Sequence, residues 1–369
     1  MLISTASCLS NRSNNTKTPV IELTLPLIEA VPPVPVTMVY FDGPLLNIFF
    51  HQVIAWPEIA FASSYRADFL EWYVTADEYR RVLYELYSQG YVLVDIGEFF
   101  EVVYKNGIRT MTTNRLLVPE GKKPMVISFD DINFYEHTRL NGFVHKLVID
   151  EYGEIAAWTD NGNGGELSYD KDVVTILENF IRQHPGFSIR GARGIIALTG
   201  YEGVLGHHTH RRFEGIMGNP TQRINDPEYQ KKVENAKAVA NRLKEMGWRF
   251  ASHSWGHPNL PRICMAWFIN DANRWDREVR PIIGDTNLFI YPFGAGVEND
   301  EERHRMLRDR GFNVFFGVGP GRHQRIGNGY LFLDRRNIDG FYFREFRNRP
   351  DRLFDIERVI DKEARGIKK

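Results

Sequence analysis

Cysteine is scarce in this chain: only Cys8 and Cys264 occur in 369 residues, without a Cys-x-x-Cys spacing. That excludes a disulfide framework and a thiolate metal cluster, and it leaves the fold to a packed core. An excess of charge is missing as well. With 46 Lys and Arg against 47 Asp and Glu, nothing global draws the chain to nucleic acid, and no such partner is expected. Long apolar runs are also absent, since a stretch such as Leu45 to Phe50 falls far short of a membrane span.

What is present suits one large domain: 43% of the residues are hydrophobic and 13% aromatic. Residues 1–34 are rich in Ser, Asn and Thr and run into Pro32-Pro33-Val34-Pro35. They read as a flexible tether before a single domain over 35–369. Inside the tether, Ser4-Thr5-Ala6-Ser7-Cys8 resembles the end of a lipoprotein signal that lacks its apolar stretch. Two readings stand: a lipidated Cys8 that attaches an extracellular or cell-surface protein to a membrane, or an accident of composition. Cys264 reads as a core residue.

Hydrophobic periodicity then alternates. Residues 75–88 read as a helix with Thr75 as N-cap and Gly90 as the stop, and 91–95 as a strand. Helices follow at 171–183, 227–246, 275–283 and 300–310, with strands at 194–198, 248–252, 288–291 and 313–317. Repeated βα units predict an α/β fold whose parallel sheet closes into a barrel. Residues 146–158 break the pattern as an inserted β-hairpin turning at Tyr152-Gly153, either a wall of the substrate cleft or a surface decoration.

Two strand ends carry chemistry. Met125-Val-Ile-Ser-Phe-Asp130-Asp131 is a short apolar run closing in two carboxylates. Arg249-Phe-Ala-Ser252 is a second such run, followed by His253-Ser-Trp-Gly-His257-Pro258. A helical turn or a tight loop puts imidazoles four residues apart on one side. With eleven His in the chain such a pair counts only with a third ligand, and Asp131 is the candidate. Two His and one Asp leave a position open, as catalytic zinc sites do, and Asp130 is placed to act as the base.

These motifs resemble those of the polysaccharide deacetylases, carbohydrate esterase family 4 or NodB-homology proteins. Ser128-Phe129-Asp130-Asp131 is similar to their Thr-Phe-Asp-Asp motif, and His253 to Pro258 to their His-Ser/Thr-x-x-His motif. Leu288-Phe-Ile-Tyr-Pro-Phe-Gly294 is similar to their third motif, and the likeness spans residues 36–320. The resemblance implies a distorted (β/α) barrel of the NodB-homology type, with a β-hairpin insertion. It also implies a metal-dependent hydrolase that removes acetyl groups from a cell-wall or surface polysaccharide of N-acetylglucosamine type. Asp131, His253 and His257 would bind a divalent metal, zinc in first place. Asp130 would be the base and the Phe293 backbone N–H would help hold the oxyanion. Trp255, Tyr291 and Pro292 would lie along the sugar.

Departures from the family pattern set the second function class, a degenerate member that binds glycan or metal without turnover. The Arg that precedes the third motif's turn and orients the base is replaced by Ile290 and Tyr291, leaving Arg277, Arg280 and Arg336 as substitutes. The late Leu-x-x-His that supplies the general acid is absent, and His323 is the loop candidate for that role. His304, in a charged helix, is expected to face solvent. His51 reads as a satisfied core residue, and the His207, His208 and His210 cluster as exposed side chains of a strand end or loop, at most lining the cleft. Arg335-Arg336 and the Arg-rich stretch 344–352 read as a solvated, salt-bridged face.

Overall fold

Seven parallel strands close on one another in the computed structural model, which describes residues 36–105, 108–210 and 227–367. They are β1 (Leu46–Phe50), β2 (Lys123–Phe129), β3 (Ile195–Leu198), β4 (Arg249–Ser252), β5 (Leu288–Ile290), β6 (Val314–Val318) and β7 (Tyr330–Asn337). Each pairs in parallel with its successor in sequence, and β7 pairs with β1, so the sheet is a barrel. The expectation for residues 1–34 lies outside the described residues. No helix among the described residues is long and apolar enough to cross a membrane.

Strand alternation builds two apolar layers from one sequence pattern. One set, with Val126, Ala197, Ala251, Ile290, Phe316, Leu331 and Leu333, fills the barrel. The alternate set, with Ile48, Ile127, Ile196, Phe250, Phe289 and Phe315, packs outward against helices. Those helices are α1 (Ala76–Ser88), α2 (Val173–Gln183), α3 (Pro227–Glu245), α4 (Met265–Glu278) and α5 (Glu301–Asp309). Thr75 and Glu78 form the reciprocal capping box that starts α1, while Asp172 and Asp300 cap α2 and α5.

The barrel is distorted between β2 and β3. Only Ser128 and Phe129 of β2 pair with β3, while the first residues of β2 pair with an extra strand, Tyr91–Leu93. The insertion is a hairpin of Lys146–Ile149 and Ile155–Thr159, joined by a third strand, Glu166–Ser168. Two elements differ from the sequence reading. The helix expected at 275–283 begins at Met265 and breaks at Val279, because Pro281 has no N–H to continue it. Strand β7 emerges from the stretch read as a solvated Arg face: Leu331, Leu333 and Arg335 point inward at the strand period, and Arg335 is only 1% exposed.

Candidate metal and catalytic centre

The candidate metal ligands and the candidate base converge at the carboxyl ends of the strands. Asp130 and Asp131 follow β2, His253 and His257 follow β4, Phe293 follows β5, and His51 follows β1. One ligand atom from each of Asp131, His253 and His257 lies within 4.8 Å of the others. Zinc takes such donors at about 2.0–2.2 Å, so small side-chain adjustments suffice for one ion. Donor chemistry fits too. His253 Nδ1 is 2.8 Å from the Ile290 carbonyl and donates to it, which leaves the Nε2 lone pair facing the cluster. Burial holds the His253 pKa below its ordinary value, against the pull of Asp130 and Asp131, so the imidazole is neutral as ligation requires.

The His-x-x-x-His spacing is realised by a loop rather than a helix. Ser254 and His257 adopt φ of 59° and 53°, Asp131 of 61° and Phe293 of 59°. Left-handed backbone at a residue with a side chain costs about 1–2 kcal/mol, so surrounding contacts must hold it. Asp271 supplies one such hold, accepting from the backbone N–H groups of Trp255 at 2.8 Å and Gly256 at 2.7 Å. The His257 N–H bonds to Ser254 Oγ at 3.1 Å. Asp131 is held from two sides: Gln52 donates to its carbonyl at 2.9 Å, and the Tyr135 hydroxyl to Oδ1 at 2.6 Å. Tyr135 also meets Thr199 Oγ1 at 2.7 Å. Oδ2 of Asp131 is left facing His257 Nε2, 3.9 Å away.

Asp130 has the orienting arginine that the third motif lacks. Arg335, from β7, donates to Oδ1 at 2.7 Å and Oδ2 at 2.9 Å, and to Ser128 Oγ at 2.9 Å. The three substitutes considered from sequence are engaged elsewhere: Arg277 with Glu278, Arg280 with Asp276 and Asp285, and Arg336 with the carbonyls of Pro320 and Asp351. Burial alone would raise the Asp130 pKa. The charge and hydrogen bonds of Arg335, aided by His253 and His51, overcome that and bring it down to about 2. Asp131 is likewise lowered against its burial, by His257, His253, His51 and the Tyr135 hydroxyl.

Several expected residues are not brought to this centre. His323 sits opposite Asp334 where Gln324–Gly327 pairs with β7, so it shares the face of Asp334 and not that of its neighbour Arg335. It is exposed, with its ring 6.5 Å from that of Phe332. Tyr291 is fully buried and stacks on Phe315, and Pro292 is buried beside it, so neither offers a face to a sugar. Trp255 is 9% exposed; the Arg274 guanidinium lies 3.2 Å from its ring centre and its indole N–H bonds to Glu278. Phe293, in contrast, is 66% exposed, with its ring edge-on to His257 at 4.5 Å.

Outside the centre, His304 is fully buried against Phe315 and Tyr330, and Cys264 is exposed at the start of α4. Both reverse the sequence expectation. His51 is half-buried with Nδ1 3.1 Å from the Trp72 carbonyl, and its charge bears on Asp130 and Asp131. Arg335 had a sequence signal in the alternation Leu331, Leu333, Arg335, which its neighbouring charges concealed. Tyr135, in the turn after Asp131, had none.

Fold and centre thus define a distorted (β/α) barrel with an Asp-His-His cluster at the carboxyl end of its strands. Residues 228–314, which carry both His and Phe293, match the family model described as polysaccharide deacetylase. No curated protein matches it. Among solved structures it is similar to Streptococcus pyogenes deacetylase PplD in complex with acetate, at 15% identity over 82% of this chain and 94% of that one, TM-score 0.40. It is also similar to IcaB from Ammonifex degensii, at 14% identity over 80% and 92%, TM-score 0.41.

Proposed function

We propose that the protein is a metal-dependent hydrolase that removes acetyl groups from the nitrogen of N-acetylglucosamine-type units in a cell-wall or surface polysaccharide. The observation that carries this reading is the Asp131, His253 and His257 cluster with an arginine-clamped carboxylate, Asp130, 4.0 Å from His253 Nε2. A divalent cation held by the three ligands, zinc by donor type, would supply Lewis acidity to the acetyl carbonyl and to water.

The chain's own groups account for the rest. Asp130 takes a proton from the attacking water as its oxygen bonds to the acetyl carbon. Arg335 keeps that carboxylate ionised and aimed. The Phe293 N–H, presented by a left-handed turn, faces the oxygen that gains charge. When the carbon–nitrogen bond breaks, the leaving amine needs a proton, and His51 is our assignment for its donor in place of His323. Its Nδ1 is tied to the Trp72 carbonyl, so Nε2 is the transferring atom. A polymeric glycan implies work at the cell surface or outside it.

The alternative of a member that binds without turnover drew on the missing arginine and the missing acid histidine; the Arg335 contact with Asp130 speaks against the first, and His51 is our proposal for the second. The test is acetate release from N-acetylglucosamine oligomers together with metal content. Asp131→Asn is expected to lose metal and activity together. Asp130→Asn is expected to keep metal and lose at least about 100-fold in kcat, the scale of general base catalysis. Metal bound with no acetate released by the unaltered protein would favour the alternative.

A further inference from the structure

A cavity lies at the same end of the barrel, and its described lining is mostly cationic. About 270 Å³ in volume, it is lined by Arg139, Lys146 and His208, and by Lys231, Lys232 and Glu228 of α3. Among the described residues, four cationic side chains and one carboxylate line it, and Glu136, Glu202 and Asp160 act on Arg139 and Lys146 from outside the lining. Its walls are the connections that leave β2 and β3. Arg139 belongs to the connection that carries Asp131, and between the two the Tyr135 and His137 rings stack at 5.8 Å.

The arginine and the inner lysine of this cavity lack the partners found elsewhere. Arg193, Arg249 and Arg344 each hold a carboxylate. Among the described residues Arg139 and Lys146 hold none. Arg139 instead meets His208 Nε2 at 2.6 Å, and its buried Nε–H has no acceptor among the described residues. Lys146 rests its ammonium on the Trp158 ring, 4.1 Å from the centre. The imidazoles bring no negative charge to offset these cations. His207 is spent on the Leu147 carbonyl and His145 on the Arg139 carbonyl. Burial and the surrounding charges of Arg139, Lys232 and Lys146 take the His208 pKa down to about 4. A buried guanidinium N–H without an acceptor costs stability unless a ligand satisfies it.

We infer that this cavity binds an anionic substituent, a carboxylate or a phosphate ester, on the polysaccharide whose acetyl group is presented to the Asp131, His253 and His257 centre. This rests on the proposed deacetylase reading and adds that the substrate is an acidic glycan. Arg139 offers a planar pair of donors and Lys146 a point charge, the combination that suits either anion.

The experiment titrates the intact protein, at 0.15 M salt, with a neutral N-acetylglucosamine pentamer, with the same pentamer bearing a carboxylate or a phosphate, and with inorganic phosphate. The anionic pentamer is expected to bind roughly tenfold or more tightly than the neutral one, the scale of a hydrogen bond to a charged group. Lys146→Gln and Arg139→Gln should each erase that preference and leave neutral binding unchanged. Lys146→Gln keeps the test alive if Arg139→Gln does not fold. Equal binding of the two pentamers, or none of either, overturns the inference, as does a preference that survives both variants. Inorganic phosphate binding as tightly as the anionic pentamer would overturn the glycan assignment. Acetate release from the neutral pentamer reads the deacetylase proposal separately: its failure with the charge preference intact sinks that proposal alone.

Discussion

Arg335 and Asp130 lie 205 positions apart in the chain and meet inside the barrel in a two-pronged ion pair, at 2.7 and 2.9 Å, with 1% and 5% of their side chains exposed. Closure of the barrel makes the contact, because β7 and β2 both flank β1. The pair keeps Asp130 ionised, as the base role proposed for it requires.

Removal of that arginine should therefore be costly twice over. Arg335→Met leaves a buried carboxylate unpaired, so a loss of about 3–5 kcal/mol is expected in urea unfolding. Asp130, now free of the charge that holds it at about 2, should titrate higher. A depressed carboxylate contributes stability above its unfolded value of about 4 that is lost as pH falls toward 2, so the acid unfolding limb of the metal-free variant should shift upward. Unchanged acid unfolding would contradict the assignment.

Tyr135 is expected to govern metal affinity. Its hydroxyl occupies Asp131 Oδ1 and leaves Oδ2 for ligation. Tyr135→Phe removes that tether without changing ring packing, and a loss of roughly 10–100-fold in zinc affinity should appear in chelator competition. An affinity within twofold of the parent would show that the backbone alone positions Asp131.

His304 offers a gain rather than a loss. Neither ring nitrogen has a hydrogen-bond partner among its aromatic neighbours. Burial, with Arg308 nearby, takes its pKa to about 4. A histidine lowered on folding supports the fold above about 6.5 and loses that support as pH falls toward 4. His304→Phe should raise stability by about 1–3 kcal/mol and flatten this acid dependence, as thermal melts at pH 5 and pH 7.5 would read.

Asp172 should respond with the opposite sign. It caps α2, with the Val174 N–H at 2.8 Å, yet burial raises its pKa to about 7 against those backbone hydrogen bonds. An acid raised on folding supports the fold below about 4 and loses that support as pH rises through 7. Asp172→Asn keeps an N-cap acceptor and removes the ionisation. Its stability relative to the parent should climb between pH 5 and pH 8, and a flat difference would show that the carboxyl is already ionised.

By itself the sequence determined the alternation of strand and helix, the cap at Thr75, and the metal-type set of Asp131, His253 and His257. These are written locally: periodicity, capping chemistry and strand-end motifs act over a few residues. Closure in space decided the rest. Only closure brings Arg335 to Asp130, buries Tyr291 and Pro292 in the core, and turns His323 to the face opposite Arg335. The same long-range packing brings Arg139 and Lys146 together with no carboxylate ion-paired to either among the described residues. A side chain's partner across a barrel depends on strand order and register, and neither is encoded near the residue itself.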